Sequence, residues 1–221
     1  LRNALLGLIK KYFTEIDAEY EDDQILNIIG IEKTTSELHI KGNIQFELGE
    51  NTINIADFPY GVALNSQTIR ELQLLNFNFD KVISVENKAN FNYLCNIEED
   101  SLILFTGGFY TPVQKRFLNI LYRQLIDKHY DIEFYHWGDL DLGGFNIYRN
   151  IKNNIFYNLK PYKMSVDVIK EHADYCEKIL DEKYILKLKK LLEYNEIKEL
   201  HELIRFIIEN KITLEQESLI I

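Results

Sequence analysis

The feature that most constrains this chain is the alternation of apolar strand-like and amphipathic helix-like segments between Asp80 and Met164. Lys81-Val82-Ile83-Ser84-Val85 reads as a strand, and a helix is predicted around residues 89–95. A second strand follows at 102–105, then a turn at Thr106-Gly107-Gly108. A long helix is predicted from 112 to about 128, with Thr111 as N-cap and Pro112 in the first turn. The third strand, 132–136, leads into Gly138-Asp139-Leu140-Asp141-Leu142-Gly143-Gly144, and a helix is expected from Phe145. Strand, helix, strand, helix, strand in that order means βαβ units, because parallel strands need crossovers. The fold class is therefore α/β, with a small parallel sheet flanked by helices.

Two zones flank this core. Leu5, Leu8, Ile9, Tyr12, Phe13 and Ile16 recur at helical spacing and predict an N-terminal helix. Short strands are predicted at 38–41, 44–48 and 52–55, joined at Gly42-Asn43 and Gly49-Glu50-Asn51 as hairpins would be. A helix with a small antiparallel sheet fits a winged-helix-like module or an accessory β-flap. Beyond Ser165, helices are predicted at 167–180, 183–192 and 196–208, forming a C-terminal cap. The expected division is 1–78 for the N-terminal module and 79–221 for the α/β domain with its helical extension. The chain opens on Leu1, as a fragment or processed chain does.

Composition removes several function classes. The chain has 221 residues and a net charge of −10, so bulk charge cannot hold a polyanion. A nucleic-acid partner must meet a local basic patch, a bound metal or another subunit. The two cysteines, Cys95 and Cys176, make neither a disulfide framework nor a zinc signature, and a reducing, cytoplasmic setting is expected. No apolar run reaches membrane-span length, and the N-terminus lacks the marks of a signal peptide.

In a parallel sheet the carboxyl ends of the strands open on one edge, where ligand sites form. The first strand here ends in Glu86, and the third ends in Asp139-Leu140-Asp141. Residues two apart on extended chain share a side, so both aspartates can be presented together. If the two strands are neighbours, Glu86 adds a third carboxylate. Such crowding is unfavourable unless a cation neutralises it, and Mg²⁺ is the hard, oxygen-seeking choice.

This order of parts resembles the Toprim domain of topoisomerases, primases and some nucleases. The wording is closer still to one family. Val-Ile-Ser-Val-Glu-Asn (82–87), Leu-Phe-Thr-Gly-Gly-Phe (104–109) and His-Trp-Gly-Asp-Leu-Asp-Leu-Gly-Gly (136–144) resemble the C-terminal region of the JetD nuclease subunits of Wadjet anti-plasmid systems. Leu214-Glu215-Gln216-Glu217 also resembles that family's tail. The resemblance implies a Mg²⁺- or Mn²⁺-dependent DNA endonuclease working on circular double-stranded plasmid DNA beside an SMC–kleisin complex. It implies acid–base or metal-binding work for Glu86 and metal binding for Asp139 and Asp141. Relatives of the topoisomerase VI A type use an attacking tyrosine, but Tyr12, Tyr20 and Tyr60 sit in no matching motif. Water is therefore the expected nucleophile, and cutting both strands at once would call for a homodimer with two sites.

Each signal has a plainer reading. Gly107 and Gly108 make a turn, or bring backbone to phosphate. His136 is expected as a strand residue packed against a helix, Trp137 as core, and His172 and His201 as solvated. Glu215 and Glu217 complete the site only if the tail folds back; a solvated terminus is expected. From Tyr110 to Lys163, eight basic residues face five acidic ones. Lys115, Arg116 and Arg149 could touch flanking phosphates, or form a scattered solvated face. Two other functions compete: a phosphatase of the haloacid-dehalogenase type, in which the Asp pair would open the domain, and a non-catalytic docking subunit.

Overall fold

The computed structural model describes residues 2–12, 25–26, 36–128 and 131–220. In chain order the elements are α1 (Arg2–Tyr12), β1 (Glu37–Lys41), β2 (Ile44–Leu48), β3 (Asn51–Asn54), β4 (Val62–Asn65), α2 (Ser66–Glu71), β5 (Gln73–Phe77) and β6 (Lys81–Val85). They continue as α3 (Lys88–Ile97), β7 (Ser101–Phe105), α4 (Pro112–Lys128), β8 (Glu133–Trp137), α5 (Leu142–Asn154) and β9 (Lys160–Pro161). The last are α6 (Val166–Glu171), β10 (Glu177–Lys178), α7 (Glu182–Leu191), α8 (His201–Asn210) and β11 (Ile212–Thr213).

The central sheet has six strands in the order β4-β1-β7-β6-β8-β9. β6 pairs in parallel with both β7 and β8, and β9 continues that direction beside β8. β1 and β4 close the other edge as antiparallel strands. The α/β expectation thus holds, on a mixed sheet rich in parallel pairs. Strands buried on both faces must be apolar at successive positions, and β6 and β7 are. Ile83, Val85, Ile103 and Trp137 pack with Phe91 and Leu94 of α3. Val82, Leu102, Leu104 and Phe134 join the other face, with Leu118 and Leu121 of α4 and Phe145 and Tyr148 of α5. Each such side chain, fully removed from water, is worth roughly 1.5–3 kcal/mol. Leu188 of α7 and Ile204 of α8 extend the same core. Thr111 caps α4 as expected: its Oγ1 accepts from Gln114 N–H, and Gln114 Oε1 accepts from Thr111 N–H at 2.8 Å.

Several local expectations are corrected. β1 and β2 form no hairpin; β1 crosses into the central sheet, while β2 pairs with β3 and β5 in a separate three-stranded sheet. Gly42 makes the change of sheet possible, since a Cβ there would lie 2.9 Å from the Ser101 carbonyl oxygen. Strands from both sides of residue 78 therefore share one sheet and one core. The helix expected over 167–180 stops at Glu171, because Glu177 and Lys178 pair with Thr213 and Ile212 instead. The segment expected as helix over 196–208 is kinked at Ile197, and regular α-helix begins at His201. α1 packs Leu6 and Ile9 with Ile25 and Leu26 in a small cluster of its own. The continuation of that helix to Ile16, and Tyr20, lie outside the described residues. No helix among the described residues is long and apolar enough to cross a membrane.

Candidate acidic centre at the sheet edge

Val85 stands opposite both Phe105 and Trp137 in the parallel ladders, so β6, β7 and β8 end at one level. Glu86 N–H donates to the Trp137 carbonyl at 2.9 Å, and Thr106 N–H to the Val85 carbonyl at 2.8 Å. The side chain of Glu86 is thereby delivered to the start of the Gly138–Asp141 loop, where its Oε2 accepts the Asp139 N–H at 3.3 Å. β6 and β8 are neighbours, and their ends meet here.

Two glycines make that approach possible. A Cβ at Gly138 would lie 2.8 Å from Glu86 Oε2 and 2.9 Å from His136 Nε2. A Cβ at Gly144 would lie 2.2 Å from the Asp139 carbonyl oxygen, so the turn into α5 closes on backbone alone. Asp141 is the N-cap of α5 and accepts the Gly144 N–H at 2.7 Å. The hydroxyl of Tyr184 accepts the next N–H, that of Leu142, at 2.9 Å.

The tail does fold back, which corrects the expectation of a solvated terminus. Leu140 and Leu214 form an antiparallel bridge, with Leu140 N–H donating to Leu214 O at 2.9 Å. Gln216, fully buried, then locks the tail in place. Its N–H donates to Asp139 Oδ1 at 2.6 Å, and its side-chain amide donates to the Trp137 carbonyl at 3.1 Å. Its Oε1 accepts from Asn87 N–H at 2.9 Å and its carbonyl from Asn90 Nδ2 at 2.8 Å. Glu217 accepts from Asn87 Nδ2 at 2.5 Å. The roles of Gln216, Asn87 and Asn90 were missed in the sequence; the signals were the likeness of 82–87 and 214–217 to a family, since the bonds of Gln216 to Asn87 and Asn90 span more than a hundred residues.

The electrostatics are those of uncompensated carboxyls. Burial, then the nearby Asp139 charge, pushes Glu86 up to about 8. Burial pushes Asp139 up to about 6, with Asp141 and Glu217 adding to the rise. Asp141 is raised chiefly by burial, against the pull of the Gly144 and Gly143 N–H groups. Glu215 is pushed up to about 7 by burial and by Asp139 and Asp141. Burial raises all four, and fellow carboxylates add to the rise of Glu86, Asp139 and Glu215. Among the described residues no three of His, Cys, Asp and Glu already stand as a tight ligand cluster for a metal ion.

The remaining site candidates are placed as follows. Gly107 and Gly108 follow β7 at φ 57° and 110°, where an L side chain is strained. A Cβ on Gly108 would meet nothing within 4 Å, so its approach is open. Lys115 and Arg116 lie near the start of α4, and Arg116 lines an apolar cavity with Phe46, Ile69 and Leu74 rather than any acidic-centre residue. Arg149 is turned to the C-terminal segment: its guanidinium pairs with Glu196 at 3.3 Å and stacks 3.6 Å from the Tyr194 ring centroid. The expectation that Arg149 contacts phosphate at the Asp loop is corrected accordingly. Lys88, in the first turn of α3, donates to His39 Nδ1 at 2.6 Å and lies over the Phe91 and Phe105 rings. Trp137 and His136 are fully buried, His136 against Tyr148 of α5.

A mixed α/β sheet whose parallel strands deliver carboxylates to one edge defines a protein with an acidic centre there. The comparisons narrow the class. The chain belongs to the family described as Wadjet protein JetD, C-terminal, whose model matches residues 41–221. Wadjet protein JetD of Bacillus cereus (strain Q1) is 32% identical over 221 residues, which is 100% of this chain and 53% of that relative. The chain thus spans about half the length of the curated relative it matches.

Proposed function

We propose that this chain carries the Toprim-type active centre of a metal-dependent DNA endonuclease in a Wadjet system. The observation that carries the reading is the meeting of Glu86 with the Asp139–Asp141 loop, made by the Asp139 N–H bond to Glu86 Oε2 at 3.3 Å. Four carboxyls crowd there with raised proton affinities. All the donors are hard oxygens, the set that suits Mg²⁺ or Mn²⁺. Asp139 and Asp141 would hold the ion, with Glu86 or Glu217 completing the set. When bound, the ion would supply Lewis-acid polarisation of the phosphodiester and bring the proton affinity of the carboxyls down.

The residues of the chain then divide the work. Glu86 takes a proton from the attacking water as that oxygen bonds to phosphorus; the P–O bond to the leaving strand breaks and its oxygen is protonated from solvent. The turn at Gly107-Gly108, open at Gly108, would offer backbone N–H groups to a phosphate oxygen. Lys88, beside Glu86 in sequence, takes the phosphate-positioning role in place of Arg149. Asp141 caps α5, fixing the loop on which Asp139 sits. Circular plasmid DNA as substrate, an SMC–kleisin complex as partner, cytoplasmic location and a homodimer for double-strand cutting are part of the same proposal. With a net charge of −10, recruitment by the partner supplies most of the DNA affinity.

Plasmid nicking or linearisation with Mg²⁺ or Mn²⁺ tests the reading. Loss of cleavage in Glu86→Ala and in Asp139→Ala supports it; wild-type cleavage in both variants removes this site from the chemistry. Hydrolysis of a small phosphoester with no DNA cleavage points to a phosphatase instead. A chain inert even with its partners present is a docking subunit.

A further inference from the structure

The imidazole of His136 is fully buried in β8, and its two nitrogens stand in different surroundings. Nδ1 lies 2.8 Å from Ser84 Oγ, and the Ser84 hydroxyl donates to the Tyr135 carbonyl at 3.1 Å. The carbonyl can only accept; with the single serine hydrogen on it, Ser84 accepts toward His136 and the imidazole carries its proton on Nδ1. Nε2 is then a bare acceptor, and it has no hydrogen-bond partner among the described residues. A buried acceptor left in that state is costly and calls for a donor.

The neighbour across Gly138 is Glu86. The position a Gly138 Cβ would take is 2.9 Å from His136 Nε2 and 2.8 Å from Glu86 Oε2. The two atoms are therefore at most about two hydrogen-bond lengths apart, a span that one water bridges. Both ends accept when Glu86 is ionised, and a water has two hydrogens, one for each.

We propose that His136 is a positioning residue for Glu86, offering Nε2 to a buried water whose second hydrogen holds Glu86 Oε2. Oε2 is then fixed from two directions, by this water and by the Asp139 N–H, and Oε1 remains for the attacking water. Gly138 is required because a methyl there would press on both acceptors. The consequence for cleavage rests on the function proposed above; the hydrogen-bond arrangement does not.

Two measurements separate these parts. Long-range ¹H–¹⁵N correlation on the metal-free chain reads the tautomers of its five histidines, with His136 assigned by the signal lost in His136→Gln. The expected result is an Nδ1–H tautomer whose Nε2 resonance moves in Glu86→Gln and whose Nδ1 resonance moves in Ser84→Ala. An Nε2–H tautomer, or a His136 spectrum indifferent to Glu86→Gln, overturns the proposal. In plasmid cleavage, His136→Phe should lower kcat by about tenfold or more with KM unchanged, and His136→Gln, whose amide oxygen accepts, should restore most of the rate. Wild-type turnover by His136→Phe overturns the proposal alone. Wild-type turnover by Glu86→Gln overturns the nuclease reading, and the tautomer measurement then decides the role of His136.

Discussion

The two edges of the central sheet are both acidic, yet they are built differently. At the amino-terminal edge of the parallel strands, Asp80, Glu98, Glu99, Asp100, Asp131 and Glu133 line one cavity together with Lys81. Countercharges are supplied there: Lys81 pairs with Glu98 at 3.5 Å, Lys160 with Glu133 at 2.6 Å, and Lys41 bonds the Glu98 carbonyl. The Lys160 hydrogen bond holds Glu133 below its ordinary carboxyl value. At the carboxyl-terminal edge, burial and mutual repulsion drive Glu86 the other way, to about 8. Acidic residues alone do not distinguish the edges; the countercharge does, since among the described residues no cationic side chain is a cause of the shifts of Glu86, Asp139, Asp141 or Glu215.

The sharpest way to break this contrast is to remove carboxylates from each edge in turn. Glu86→Ala or Asp139→Ala should lower metal-dependent plasmid cleavage at least about a hundredfold, whereas Glu98→Gln and Glu133→Gln should leave the rate unchanged. Equal losses at both edges would mean the contrast has no functional content. Gly138→Ala comes next. Its methyl meets Glu86 Oε2 at 2.8 Å and His136 Nε2 at 2.9 Å, and overpacking of that kind costs about 1–3 kcal/mol. Denaturant unfolding should show that loss together with reduced cleavage, while the equivalent change at the exposed Gly7 of α1, where a Cβ meets nothing within 4 Å, should show neither loss.

A smaller effect appears in stability against pH, with opposite signs at the two edges. Folding raises Glu86 from 4.5 to about 8, so its contribution is present below pH 4.5 and lost as pH rises through 8. Asp139, raised from 3.8 to about 6, adds to the same loss at lower pH. The thermal midpoint of the metal-free chain should therefore fall between pH 5 and 8, and millimolar Mg²⁺ or Mn²⁺ should remove most of the fall. Glu133 is lowered on folding, so its contribution is present above its ordinary value and lost as pH falls through the depressed one. That pair is exposed and screened, and Lys160→Ala should not measurably move the thermal midpoint.

The same contrast shows which parts of the molecule were legible in the sequence. β6 and β7 announce themselves because burial on both faces demands successive apolar residues, as in Leu102-Ile103-Leu104-Phe105. Glu86 and the Asp139–Asp141 loop follow from the rule that parallel strands open their ligand sites at one edge. β1 misled because Leu38–Ile40 reads equally well as half a hairpin; its pairing with β7 depends on partners more than sixty residues away. Gln216 carried no local signal, since its buried bonds reach Asn87, Asn90, Trp137 and Asp139 and exist only once the tail is docked. Arg149 looked available because the sequence could not show Glu196 and Tyr194 turning toward it.

The most direct test of the acidic centre is a crystal soaked in Mn²⁺ and measured at the manganese absorption edge. The account predicts an anomalous peak about 2.0–2.2 Å from carboxylate oxygens of Asp139 and of at least one of Glu86, Asp141 and Glu217, the range for a small hard cation. Full occupancy elsewhere, at the Glu98–Glu133 edge or in no carboxylate site, would contradict it.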